Sequence, residues 1–344
     1  MRHAAISWLS LETRGMLAIV MLLGCFPSPS DAQTVPIPEL SAWEANMTTY
    51  GNQHCKALQG KPTGERADNT YYDAERVYYQ IQTYTGDPSW KFCANLAEKL
   101  YRDGYVVPNN GKVPGYWNFT TGLRLDFERY GDAKSKEAIV LLSKNAAFAV
   151  DGTPLPWTAG TDASREVAFT IISYLDAEMA GQARRARLAD LINQALGHLD
   201  QWFVSQTAPY MRPFMAGLTL QALIRVQERL PDPRIPGAVA TALDGLWTRT
   251  WLPASGAFMY TDRVAADGSG GTEPAPDLNL LIAPAYAWMY LQTGNKQYRD
   301  RGDQVFAGGV KGAYLGLAKQ FNQNYVYSVD YVAWRRAGAA RYNP

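Results

Sequence analysis

The chain has 344 residues, with 33 basic against 32 acidic side chains, 47% apolar residues and 12% aromatic ones. That balance supports a full hydrophobic core, excludes a disordered or collagen-like chain, and leaves no basic excess to release counterions from nucleic acid. Three cysteines and three histidines without a Cys-x-x-Cys pair give no zinc-ligand spacing, so carboxylates, tyrosines and arginines are expected to carry any chemistry, with no metal or cofactor.

Residues 1–32 read as an export signal with a short linker. Arg2 and Arg14 precede the apolar stretch Met16 to Phe26, which is too short to span a bilayer and runs into Pro27-Ser28-Pro29-Ser30. Leu22-Leu23-Gly24-Cys25 resembles a bacterial lipobox, which would leave a lipidated Cys25 as a membrane anchor, whereas Ser30-Asp31-Ala32 suits ordinary signal cleavage. Either reading predicts a secreted or periplasmic protein whose residues 33–344 form one domain. In an oxidising compartment Cys55 and Cys93 would pair across 38 residues; the alternative is two buried free thiols.

The mature chain repeats itself. Tyr84-Thr85-Gly86-Asp87, Arg129-Tyr130-Gly131-Asp132, Met179-Ala180-Gly181-Gln182, Leu230-Pro231-Asp232 and Gln292-Thr293-Gly294-Asn295 are helix stops, each after an apolar stretch of helical period. Intervals of 45, 50, 50 and 63 residues between Gly86, Gly131, Gly181, Pro231 and Gly294 make the chain a series of two-helix units. Helices near Leu40 to Leu58, Trp90 to Arg102, Ala133 to Phe148, Ala183 to Phe203, Pro236 to Trp251 and Gln297 to Tyr314 are polar on one side and suit an outer layer. Those at Tyr71 to Tyr84, Trp117 to Tyr130, Ser164 to Met179, Pro213 to Arg229, Pro284 to Leu291 and Tyr327 to Arg336 are more apolar all round and suit an inner one. The long Gly- and Pro-rich connection from Leu252 to Pro276 explains the 63-residue interval, and reads as a flap-like loop or a plain surface excursion.

Six outer and six inner helices, with the Thr-Gly-Asp turn echoed by Thr-Gly-Asn, resemble the (α/α)6 toroid of six helical hairpins shared by many glycoside hydrolases and polysaccharide lyases. The resemblance covers nearly the whole mature chain. It implies that the N-terminal ends of the inner helices meet at one mouth, where a polysaccharide or oligosaccharide would lie. Fold resemblance carries architecture and not reaction.

Read at those ends, the rim offers Asp73, Asp162, Glu166 and Asp277 as candidate catalytic carboxylates. Tyr72, Trp117, Asn118, Arg165, Tyr210, Arg212, Tyr260, Tyr327 and Asp330 are candidates for holding sugar, since rings stack on sugar faces and charged groups bind hydroxyls and acids. Each has a plainer role open to it. Asp162 and Asp277 suit helix caps, Asp73 can pair with Arg76, Glu166 with Arg165 or Arg212, and Asp330 with Arg335 or Arg336. His54 and His198 fall on outer helices and stay outside the site. Three functions follow: hydrolysis by a carboxylate pair, β-elimination on a uronic-acid polymer with a tyrosine base, and glycan binding without catalysis. Oligomeric state is open.

Overall fold

The Gly-Asp and Gly-Asn turns show how the chain makes its helix pairs. Gly86, Gly131 and Gly294 end their helices in the left-handed region at φ 70°, 73° and 70°, which glycine adopts without a Cβ clash. After Gly131 and Gly294 the next residue opens the following helix. Asp132 accepts from the backbone N–H of Lys134 at 2.7 Å and of Ser135 at 3.2 Å, and Asn295 accepts from that of Gln297 at 2.9 Å. One short motif thus stops one helix and caps the next.

The computed structural model describes residues 35–59, 67–264 and 270–342, which belong to one unit, Thr34–Pro344. The expected export signal and Cys25 lie outside the described residues. The described chain is all-α apart from one short hairpin. Its helices are α1 (Leu40–Leu58), α2 (Ala67–Thr70), α3 (Ala74–Thr85), α4 (Trp90–Glu98), α5 (Thr121–Tyr130), α6 (Ala133–Asn145) and α7 (Ser164–Met179). There follow α8 (Arg187–Phe203), α9 (Pro213–Arg229), α10 (Arg234–Thr250), α11 (Ala283–Thr293), α12 (Lys296–Lys311), α13 (Ala318–Tyr325) and α14 (Ser328–Tyr342). A π-helical stretch, Lys99–Val106, prolongs α4.

Burial separates two layers. Helix α7 buries thirteen of its sixteen residues and its neighbour α8 only eight of seventeen, so α7 is the interior member of that pair. Helices α3, α5, α7, α9, α11 and α14 pack on one another in that order, and each of the first five also packs on the helix that follows its turn. Arg76 of α3 then reaches Asp330 of α14 at 2.9 Å. The first helix joins the last pair: the Trp43 indole donates to Ser328 Oγ at 3.0 Å, and the Tyr325 hydroxyl donates to the Trp43 carbonyl at 2.8 Å.

Several expected boundaries move. The first inner helix starts at Ala74 and not Tyr71, because Tyr72 and Asp73 are both left-handed, at φ 62° and 56°. The second starts at Thr121, since Gly115–Trp117 is a separate 3₁₀ turn. Helix α13 precedes the last inner helix with no stop signal between them. The connection before α11 is a fastened excursion: Trp251–Leu252 pairs antiparallel with Ala257–Phe258, and the N–H groups of Tyr260 and Thr261 donate to the carbonyls of Glu273 and Gly271 at 2.8 and 3.0 Å.

Cys55 of α1 and Cys93 of α4 form a disulfide, with Cα atoms 5.2 Å apart. It tethers the first outer helix to the second across 38 residues. Chain-entropy reasoning for a loop of that length gives about 4 kcal/mol. Reduction, or Cys93→Ser, should lower the denaturant midpoint by that order with the helical circular-dichroism spectrum kept; an unchanged midpoint would show that the tether is idle.

Candidate functional site

The site grows from a strained turn. Two consecutive non-glycine residues in the left-handed region cost about 1–2 kcal/mol each, and such strain persists only where its surroundings impose it. Here Asp73 imposes it. Its carboxylate accepts from the backbone N–H of Arg76 at 3.3 Å and of Gly122, on α5, at 3.0 Å. A Cβ on Gly122 would come within 2.5 Å of that carboxylate, so only glycine admits the contact. Burial pushes the Asp73 carboxyl up, against the Arg76 charge and the two N–H donors. Asp73, a candidate catalytic acid by sequence, is placed as the clamp of the turn that carries Tyr72 and follows Tyr71.

Tyr71 is packed edge-on by Tyr72, Trp117 and Phe119, with ring centres 4.7, 4.8 and 5.3 Å away. Trp117 is therefore a buried support and not an exposed platform. The Tyr71 phenol is pushed up to about 12, by burial first, with the nearby Arg165 charge opposing the rise and Glu166 and Tyr116 adding to it. Arg165 donates to Glu166 Oε1 from Nη2 at 2.7 Å and from Nε at 3.2 Å, while its guanidinium lies over the Tyr116 ring at 5.0 Å. Glu166 Oε2 is buried and unpartnered. Tyr71, Tyr72 and Glu166 form a buried floor beneath exposed Tyr116 and half-exposed Arg165.

A second group joins this floor. Tyr72 has Arg165, Tyr327 and Tyr260 as electrostatic neighbours, and burial drives its phenol strongly upward. Tyr260 comes from the excursion before α11. Asp262, two residues on, accepts from the Met211 N–H at 2.8 Å and from Arg249 at 2.9 Å, which fixes the excursion beside the start of α9. The Arg212 guanidinium lies over Tyr210 at 5.0 Å and Tyr260 at 5.9 Å. Arg212, Tyr210, Asp162, Gln201 and Thr207 line a cavity of about 340 Å³, large enough for sugar rings.

Other sequence candidates fall elsewhere. Asp277 is engaged by Gln323 of α13, with burial raising its carboxyl, and no contact ties it to the floor. Asp330 pairs with Arg76, and not with Arg335 or Arg336 as the local sequence suggests. Buried Tyr327 covers Arg76 at 4.7 Å. Asn118 is buried with both amide atoms unpartnered, beside a cavity of about 10 Å³ that admits no sugar. Asp162, expected also as a helix cap, makes no capping hydrogen bond and is exposed on the cavity wall.

Tyr71 and Tyr116 stand in the rim stretches without having been singled out by sequence. Lys319 of α13, over the Tyr71 ring at 5.1 Å, lies outside them. Trp157, 68% exposed three residues before cavity-lining Gly160, carries only the weak signal of an aromatic in a Pro-rich connection. His54 and His198 are buried against the carbonyls of Leu315 and Thr158 at 2.7 and 3.0 Å, and burial lowers both imidazoles, as suits packing groups.

One buried acidic group lies apart from this floor. Glu75, Glu98 and Asp126 bring carboxylate oxygens within 4.8 Å of one another. Arg102 pairs with Glu98, and the Tyr79 and Ser135 hydroxyls donate to Asp126 at 2.7 and 2.8 Å, so only Glu75 lacks partners. Burial, reinforced by Asp73 and Asp126, raises the Glu75 carboxyl well above its usual range. The folded state therefore holds a proton that the unfolded chain gives up. Stability present below the unfolded value falls as pH rises toward the folded one. Glu75→Gln should melt above the wild type at pH 8 and level with it near pH 4; a variant less stable at pH 8 would contradict this.

Comparison with family models, with curated proteins and with solved structures finds no match, so the function rests on the chain's own residues.

Proposed function

We propose that the six helix pairs close into an (α/α)6 toroid, and that the Tyr-Arg-Glu floor and its adjoining cavity are a carbohydrate site at one mouth, cleaving a polysaccharide by hydrolysis. The observation that carries this is the convergence of four separate stretches, around residues 71, 116, 165 and 210–212, with Tyr260 of the excursion. Rings and charged forks mixed in one open hollow suit a sugar polymer, which offers apolar faces and hydroxyl edges together. Glu166, charge-paired with Arg165, would act as base or nucleophile, and Asp162 would be the second carboxyl of the pair. Trp157 and Tyr116 would carry flanking sugars. The disulfide fits an oxidising compartment and so supports the exported protein that the N-terminal sequence suggests.

Elimination is the second reading, favoured by one contact. The Arg165 charge beside the Tyr71 phenol opposes the rise that burial imposes on it and lies ready for a substrate carboxylate. Product chemistry on a polysaccharide panel separates the readings. Hydrolysis predicts new reducing ends without the ultraviolet absorbance of an unsaturated uronyl product, and elimination predicts both. Binding with no new ends would leave a glycan-holding protein and end the enzymatic reading.

A further inference from the structure

Arg212 has no acid partner among the described residues, although it is surrounded by groups that hold it still. Tyr210 and Tyr260 flank its guanidinium, and Phe214 stacks behind Tyr260 at 5.8 Å. The neighbouring carboxylate is already engaged: Asp262 is bound by Arg249 at 2.9 Å, by Arg263 at 2.8 Å and by the Met211 N–H at 2.8 Å. Arg212 Nε is buried without a partner, and the terminal nitrogens make no hydrogen bond within the described protein. Folding has therefore restricted a long side chain and partly desolvated a permanent charge with no ion pair to offset either cost. Arg212 also immediately precedes the seventeen-residue α9, whose positive end faces the same hollow.

We propose that the cavity beside Arg212 is a subsite for an acidic sugar, with the carboxylate of a uronate residue bound by the terminal nitrogens of Arg212. A carboxylate is planar and presents two oxygens to a guanidinium fork, which a single lysine charge does not reproduce. Tyr210 and Tyr260 fix the plane of that fork, so little side-chain freedom remains to be lost on binding. Gln201 and Thr207 on the cavity wall supply hydrogen bonds for ring hydroxyls, and exposed Asp162 faces the same space. The inference rests on the reading of the mouth as a carbohydrate site and names the class of its substrate.

Calorimetric titration of the full protein with an oligogalacturonate, a neutral cello-oligosaccharide of equal length and a sulfated galactan oligosaccharide that contains no uronate tests it. The uronate oligomer should bind at least tenfold more tightly than the neutral one, and weaken as salt is raised. Arg212→Gln should remove that margin, and Arg212→Lys should restore only part of it. Equal affinity for neutral and uronate oligomers, or a margin that survives Arg212→Gln, overturns the uronate subsite while the carbohydrate reading stands. Binding of the sulfated oligomer alone overturns the carboxylate assignment. No binding of any oligomer by the wild-type protein defeats the carbohydrate reading itself, and this inference with it.

Discussion

If the floor hydrolyses a polysaccharide as proposed, replacing Glu166 by glutamine is expected to lower turnover by a factor of about a hundred to ten thousand, the usual contribution of a positioned acid or base. The substitution keeps the side-chain volume and removes only the charge. Arg165, the one group ion-paired with that carboxylate, is about a quarter exposed, so solvent covers part of its lost partner. The amide oxygen of the glutamine can still accept from Arg165, so the stability cost should stay near 1 kcal/mol. Asp73→Asn supplies the contrast. That carboxylate clamps the left-handed turn through two backbone N–H groups, so its loss should act on stability, by about 1–2 kcal/mol as for other caps. Initial rates and denaturant midpoints measured on both proteins test the division. A Glu166→Gln enzyme with wild-type kcat, or one that loses as much stability as Asp73→Asn, would remove Glu166 from the chemistry.

The parts of this fold legible in the sequence are those set by short-range signals. A glycine followed by Asp or Asn stops one helix and caps the next within about four residues, so the pairs and their spacing can be read directly. Helices apolar around their whole circumference identify themselves as interior, as α7 and α11 do. What the sequence hides is who meets whom across long separations. Asp330 has Arg335 and Arg336 within two turns of its own helix, yet it pairs with Arg76, 254 residues away. Asp73 has Arg76 three residues on, yet its second oxygen goes to Gly122 of α5. The left-handed Tyr72-Asp73 step carries no glycine or asparagine to announce it. Of the four candidate acids, Asp162 lies just before α7 and Glu166 in its first turn, and the cavity forms beside that same helix start. Asp277 lies in a 3₁₀ segment that α13 covers, and α13 itself was hidden because no stop signal separates it from α14.

The largest stability loss is expected at Asp176. This residue is on α7, is 1% exposed, and gathers three interior helices at the end opposite Glu166. Its carboxylate accepts from the Thr120 and Thr121 hydroxyls at 2.7 and 2.9 Å and from Arg124 Nε at 2.8 Å, all at the start of α5, while Arg225 of α9 approaches to 3.7 Å. Removing the charge leaves two arginines facing each other around an empty place. A buried ion group that loses one partner typically costs about 3–5 kcal/mol, because the other charges stay desolvated. Asp176→Ala should therefore unfold at markedly lower denaturant, and Asp176→Asn should lose less, since the amide oxygen still accepts from the two hydroxyls. Adding Arg225→Met to Asp176→Asn should return part of the loss by removing one stranded charge, with a coupling of opposite sign to the single-site effects. Additive losses in that double variant would mean that Arg225 is not stabilised by Asp176, and that the helices are held by packing alone.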